Sequence, residues 1–313
     1  MITSLDLIMP DVPSPADILL AIRRGFISLA AGLSDQPAQT NVILPDKKGD
    51  CIFYPAYVDS VKAFGVKVSP YLVSRINQGL SPVTSYTLII CAETGRPLML
   101  IDAIQLTIER TAATTILAIQ ELTKTKSPLT IGIIGSGPIG RGHARYARLA
   151  FPSAKISIYS PSSILQGVKG DQRRALIQTD CLGVHVATSI EDATSCDIIM
   201  LCTSSGTPVI DISKTQPDCI ITSVGTNLPE THEIDWRLLN QLKVFCDFRQ
   251  TCFRTAGDMK IAIKNKIWNE HSILGDIPEL LNNKCSWDGK GRCYFRATGL
   301  ALEDIAIAVL SRK

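Results

Sequence analysis

Residues 129–150, LTIGIIGSGPIGRGHARYARLA, pass from a short apolar run through a glycine-rich turn into a helix-forming segment. Gly135, Gly137 and Gly140 keep the G-x-G-x-x-G spacing, and each has a separate task. The first allows the tight turn, the second lets backbone approach a pyrophosphate, and the third lets the helix pack against the strand, with free N–H groups aimed at phosphates. Taken alone, such a turn is equally an ordinary strand-to-helix loop. The downstream residues decide between the two. KISIY at 155–159, VHVATS at 184–189, CDIIMLCTSS at 196–205, CIITSVG at 219–225 and LKVFCDF at 242–248 are strand-like runs separated by longer segments. Apolar strands alternating with helix-length segments specify a parallel sheet covered on both faces, so the expected fold is α/β, with a Rossmann-type doubly wound sheet.

A dinucleotide on that sheet would meet Gly135, Ser136, Gly137, Pro138, Ile139 and Gly140 in the first turn. Further along it would meet Ser160 and Ser162 after the second strand, and Thr203, Val224 and Gly225 after the fourth and fifth. An Asp or Glu at the end of the second strand would take the ribose 2′-hydroxyl. Here Ser160 stands at that place, followed by Pro161, Ser162 and Ser163. No carboxylate is present to repel a 2′-phosphate, which favours NADP(H) while leaving NAD(H) possible. Lys169, Arg173 or Arg174 would have to supply the positive charge.

The first hundred residues have another pattern. Residues 14–33 have apolar side chains at helical spacing behind an N-capping Ser14, and should open the fold. The extended segments NVILP, CIFYPAYV, FGVKVSPYLV and SYTLIICAETGRPLMLID come next, the last with a hairpin turn at Thr94-Gly95. They predict an antiparallel sheet. A long helix from DAIQLTIERTAATTILAIQELTK, with Asp102 as its cap, then leads into the nucleotide domain. A chain of 313 residues exceeds one typical domain. Charged residues make up only 19%, below the usual quarter, which suggests surface buried between subunits. A net charge of +3 is too small to argue for nucleic acid. The 10 cysteines show no C-x-x-C pair and no clustered Cys/His spacing, so neither a metal site nor a disulfide scaffold is expected. No apolar segment reaches about 18 residues and no secretory leader opens the chain, so the expectation is a cytoplasmic protein without membrane contact.

Four separated segments carry a family resemblance: GVKVSPY, ETGRPLMLIDAIQLTIERTAAT, IGIIGSGPIGRGHARY and CYFRATGLALEDIA. Together, and in this order, they resemble the ornithine cyclodeaminase and mu-crystallin family across nearly the whole chain. The resemblance implies an α+β substrate-binding and dimerisation domain formed by residues 1–124 and 296–313, with a nucleotide-binding domain at 125–295. It also implies a homodimer, and a nicotinamide in the interdomain cleft beside Thr298 and Gly299. Lys67 and Arg110 match the family residues that face the substrate. A guanidinium offers a planar fork for a carboxylate, and a lysine can bind it or move a proton. Without the resemblance, both would read as surface charges whose stems cross a core edge.

Two departures separate this chain from the cyclodeaminases that it resembles. Gln39, in QPAQTNVILP, occupies the place of a carboxylate-binding Arg, and Asn227, in SVGTNLPETHE, that of an Asp which assists ring closure. Asn neither holds a negative charge nor accepts a proton as Asp does. The combination looks most like the family's L-arginine dehydrogenases, which oxidise an amino acid to its 2-oxo acid and ammonia. The alternatives are an ornithine cyclodeaminase, forming proline, and a ketimine or cyclic imine reductase. Among the remaining candidates, Asp258 reads as a helix-capping carboxylate, Glu230 and Glu233 as loop carboxylates able to meet a basic substrate, and none of the four histidines as catalytic.

Overall fold

The computed structural model describes residues 6–124, 127–225 and 230–311. From the N-terminus it runs β1 (Leu7–Ile8), α1 (Pro15–Ala30), β2 (Thr40–Ile43), β3 (Gly49–Val58), β4 (Ala63–Leu72), α2 (Val73–Ile76), β5 (Tyr86–Cys91), β6 (Pro97–Asp102) and α3 (Ile104–Leu122). Next come β7 (Thr130–Ile134), α4 (Pro138–Ala150), β8 (Lys155–Tyr159), α5 (Val168–Asp180), β9 (His185–Val186), α6 (Ile190–Thr194), β10 (Ile198–Leu201) and β11 (Ile220–Ser223). The chain closes with β12 (Lys243–Cys246), α7 (Arg249–Thr255), α8 (Gly257–Lys264), β13 (Ile273–Asp276), α9 (Ile277–Leu281), β14 (Cys293–Arg296) and α10 (Ala301–Ala308). Two compact units divide it: Met1–Arg110 with Gly299–Lys313, and Thr111–Thr298.

The first unit holds a six-stranded sheet in the order β1-β6-β5-β4-β3-β2. Strands β2 to β6 pair antiparallel, as the alternating segments predict, and β1 adds a parallel edge beside β6. That edge strand is missed in the sequence, where the fold is expected to open at α1. Ser14 caps α1 as expected, its hydroxyl accepting from Asp17 N at 3.2 Å. Gly95, at φ +67, turns the β5–β6 hairpin, and Asp102 accepts from Ile104 N at the start of α3. α10 packs on α1 and on the β3–β4–β5 face. A Cβ on Gly25 would meet Leu302 at 2.9 Å and one on Gly65 would meet Ile305 at 2.7 Å, so glycines let α10 lie close.

The second unit holds an eight-stranded, wholly parallel sheet ordered β13-β12-β14-β11-β10-β7-β8-β9. β7 lies between its successor β8 and the later β10, so strand order reverses at β7, the switch point where doubly wound sheets take ligands. β8 matches its expected span residue for residue, whereas VHVATS yields only the two-residue β9. Two strands are absent from the expected series. β14 inserts between β11 and β12, and β13 forms the edge. The core beneath β10, β11 and β12 is aliphatic, and includes Ile199, Leu201, Ile221, Val244 and Met259. All ten cysteines are free thiols, most of them buried.

Candidate functional site

Candidate residues occur in both units, and each group is a separate constellation. In the first, β4 places Lys67 opposite Tyr54 of β3, with Nζ 4.4 Å from the centre of the Tyr54 ring. Arg110 lies on α3, and α10 brings in two acids, Glu303 and Asp304, which lie within CYFRATGLALEDIA but to which the sequence reading gives no role. Lys67 Nζ is 2.9 Å from Asp304 Oδ2. Arg110 Nε donates to Asp304 Oδ1 at 3.1 Å, and its terminal NH1 donates to Glu303 Oε2 at 2.7 Å. The four side chains are nearly inaccessible, at 2% for Lys67, 5% for Arg110, 0% for Glu303 and 2% for Asp304. Neither cation is therefore a surface charge; two positive and two negative groups balance in a buried quartet. Gly299, at φ +77, makes room for it, since a Cβ there would lie 2.5 Å from Arg110 NH1.

Burial and the neighbouring Arg110 lower the Lys67 pKa to about 8, against the opposing pull of Asp304. Burial alone would lower that of Arg110, but Asp304 and Glu303 outweigh it and hold the guanidinium charged. A group able to lose its proton thus sits beside one that keeps it. Gln39 is half-buried just ahead of β2, and among the described residues makes no hydrogen bond to the quartet. Gln36, three residues earlier, is the buried amide: its Oε1 accepts from Leu302 N at 2.9 Å and its Nε2 donates to Pro37 O at 2.8 Å. Asn227 lies outside the described residues.

In the second unit the glycine turn has the form its spacing predicts. Gly135 has φ +112, and a Cβ there would strike the Cys202 carbonyl. A Cβ on Gly140 would strike the Gly135 carbonyl, so only glycine lets α4 start this close to β7. Gly137 is the N-cap residue of α4 with no side-chain cap, and Pro138 fills the first helical position, where no N–H is needed. Open space surrounds the place where a Gly137 Cβ would point. Uncapped first-turn amides at Ile139 and Gly140 beside that space, at the sheet's switch point, fit the pyrophosphate of a dinucleotide.

Ser136 and Ser160 are buried and joined hydroxyl to hydroxyl at 2.7 Å, and Ser162 Oγ lies 3.0 Å from Ser160 Oγ. Thr203 follows β10, and Val224 and Gly225 follow β11. Glu233 fastens these two strand ends: it accepts from Thr203 N and Oγ1, both at 2.7 Å, and from Ser223 Oγ and Gly225 N, both at 2.8 Å. Expected as a solvated loop carboxylate, with contact to a basic substrate as the alternative, it is instead buried and consumed in shaping the loops. Asp258 is likewise no cap, since it accepts from Tyr294 OH at 2.6 Å and faces Arg296 Nε at 3.5 Å. Thr298 N and Oγ1 bond to Asp247 Oδ2 at 2.5 and 3.2 Å.

Two further groups have structural roles. His143 is fully buried, with Nδ1 bonded to Ile139 O at 2.8 Å and Nε2 to Thr115 Oγ1 at 2.9 Å, and burial lowers its pKa to about 4. It therefore ties α4 to α3 as a neutral ring. Cys246, Asp247 and Cys252 bring three donor atoms together in space, a grouping that no Cys/His spacing in the sequence marks. Asp247 is already engaged by Phe248 N and Thr298, and burial raises the pKa of both thiols.

Comparison with known proteins agrees with this architecture. The family model for the ornithine cyclodeaminase/mu-crystallin family matches residues 8–312. An NAD(P)H-dependent anabolic L-arginine dehydrogenase of Pseudomonas aeruginosa, DauB, is 37% identical over 297 residues, covering 93% of this chain and 90% of the relative. Among solved structures, Δ1-pyrroline-2-carboxylate reductase of Thermococcus litoralis, in complex with NADH and L-proline, superimposes with a TM-score of 0.85 at 22% identity, covering 96% of this chain and 93% of that one. An archaeal alanine dehydrogenase dimer with bound NAD gives a TM-score of 0.84 at 22% identity, covering 96% of this chain and 91% of that one. With the doubly wound sheet, the glycine turn and the Lys67–Arg110 pair all in one chain that the family model matches almost end to end, this protein belongs to the ornithine cyclodeaminase/mu-crystallin family.

Proposed function

We propose that the protein is an NAD(P)-dependent amino-acid dehydrogenase that converts a basic L-amino acid, L-arginine foremost, to its 2-oxo acid and ammonia, reversibly. The observation that carries this reading is the buried quartet of Lys67, Arg110, Glu303 and Asp304. With Lys67 protonated the cluster balances two cations against two carboxylates, and the α-carboxylate and α-ammonium of an amino acid add no net charge to it; the side-chain guanidinium of arginine is a further charge that the quartet does not balance. The substrate carboxylate takes the Arg110 fork, with Lys67 and the neutral amide of Gln39 contributing hydrogen bonds. Bound to the glycine turn of the second unit, a nicotinamide dinucleotide would supply a hydride acceptor for the α-carbon.

The chain's own groups do the remaining work. Arg110, locked by two carboxylates, fixes the α-carbon without reorganising. Neutral Lys67 takes a proton from the water that adds to the substrate iminium, and returns it as ammonia leaves. Asp304 orients Lys67 and balances its charge when protonated. Asn227 stands where the cyclodeaminases carry an aspartate, so this reading includes no ring closure. Support for arginine comes from the relative at 37% identity over 93% of the chain. Incubation with NADP or NAD and arginine, lysine, ornithine or alanine tests the proposal. Reduced cofactor and 2-oxo acid should appear in equal amounts, with arginine the best substrate, whereas proline from ornithine without net reduction would overturn it.

Dimerisation belongs to the same proposal. Exposed large apolar residues concentrate in the first unit, among them Leu20 and Ile27 of α1, Val42 and Ile43 of the edge strand β2, and Phe64 of β4. A second copy of the chain would cover such a surface.

A further inference from the structure

The glycine turn of the second unit is flanked by a positive charge that the carboxylate chemistry does not use. The Ser136 carbonyl accepts from two guanidiniums, Arg141 NH1 at 2.9 Å and Arg173 NH1 at 3.2 Å. Arg141 is neutralised by Asp180, whose Oδ2 accepts from Arg141 Nε at 2.6 Å. Arg174, beside Arg173 on α5, pairs with Asp171 and donates to the carbonyls of Ser163 at 2.7 Å and Leu165 at 3.0 Å. Lys169 is exposed at the start of α5. Arg173 alone of these arginines has no carboxylate partner among the described residues. It is half-buried, and a single carbonyl bond leaves its Nε and NH2 uncommitted.

On the side-chain side of the same residue, Ser136 Oγ meets Ser160 Oγ at 2.7 Å, and Ser160 Oγ meets Ser162 Oγ at 3.0 Å. Ser162, the half-buried end of this hydroxyl chain, can turn its proton to an anion while the buried Ser136 and Ser160 hold the chain in place. Ser160 ends β8, the place where a doubly wound fold receives the adenosine ribose. A free ribose 2′-hydroxyl would find no carboxylate acceptor in Ser160–Ser163. A 2′-phosphate would find an unneutralised guanidinium and hydroxyl donors, held by the turn that fits its pyrophosphate.

We propose that Arg173, Ser160 and Ser162 form a site for the 2′-phosphate of NADP(H), so that this cofactor is bound in preference to NAD(H). The arginine comes from α5, not from the loop after β8. The proposal rests on the reading that the second unit holds a nicotinamide dinucleotide. Fluorescence titration of the full-length protein with NADPH and with NADH tests it. The wild type should bind NADPH at least about tenfold more tightly, the scale of one or two hydrogen bonds to a charged group. Arg173→Ala should cut the NADPH-to-NADH affinity ratio by roughly 10- to 100-fold. Ser160→Asp, which restores a carboxylate at the strand end, should invert the preference. Equal wild-type affinities, or an unchanged ratio in Arg173→Ala, would overturn the 2′-phosphate site while leaving the dinucleotide reading intact. Failure of both cofactors to bind would overturn the two together.

Discussion

The chemistry of a single buried lysine depends on which charges share its cavity. Arg110 and desolvation push Lys67 toward neutrality, while Asp304 opposes both. If neutral Lys67 is the base in the oxidative direction, kcat should rise with pH through about 8, because the ammonium below that value cannot take a proton. Asp304→Asn removes a charge that holds the proton on Lys67, so the limb should move to lower pH. A role in folding alone would leave the limb in place. The same change takes from Lys67 its carboxylate partner, while Glu303 still holds Arg110, and should lower stability by up to about 3–5 kcal/mol, measurable by urea denaturation. Lys67 and Arg110 were legible through the GVK and ERTAA segments, but their partners were not. Acids in the first turn of a helix ordinarily satisfy the helix dipole and face solvent, and nothing local to ALEDIAIA distinguishes Glu303 and Asp304 from that case. Glu233 was opaque for a similar reason, since its three partner residues are separated from it by up to 30 residues of sequence.

Among the elements, the strands easiest to read were short runs dominated by aliphatic residues, such as the IGII of β7 and the IIML of β10. β14, CYFR, carries an arginine and comes after a loop rich in polar residues, yet it lies between two central strands where every side chain is buried. Its Arg296 is made tolerable there by Asp258 and by the carbonyls of Ser223 and Ala297, a context that no local pattern shows. β1 has two residues and no periodicity to read. The glycine turn is the opposite case, because its spacing is itself a steric requirement. Gly140→Ala should force α4 away from β7 and abolish measurable dinucleotide binding. Calorimetric titration would check this, with circular dichroism to confirm that the sheet persists; undiminished binding would show that the turn is not the pyrophosphate cradle.

For the whole molecule, the change from antiparallel to parallel patterning goes with a division into two units that crosses the continuous helix α3 at Arg110 and Thr111. Helical periodicity carries no mark of where one unit ends. The apolar surface of the first unit predicts a dimer by light scattering at micromolar concentration, and Ile27→Lys with Val42→Lys should shift the population toward monomer.

In the proposed reaction hydride leaves the α-carbon of an amino acid held at Arg110 and does not return to it. Protein supplied with NADP and L-arginine or L-ornithine deuterated at that carbon, followed by mass spectrometry, tests it most directly. Deuterium should appear in the reduced cofactor, with an equal amount of 2-oxo acid from arginine. Deuterium retained in proline formed from ornithine, with no reduced cofactor accumulating, would contradict it.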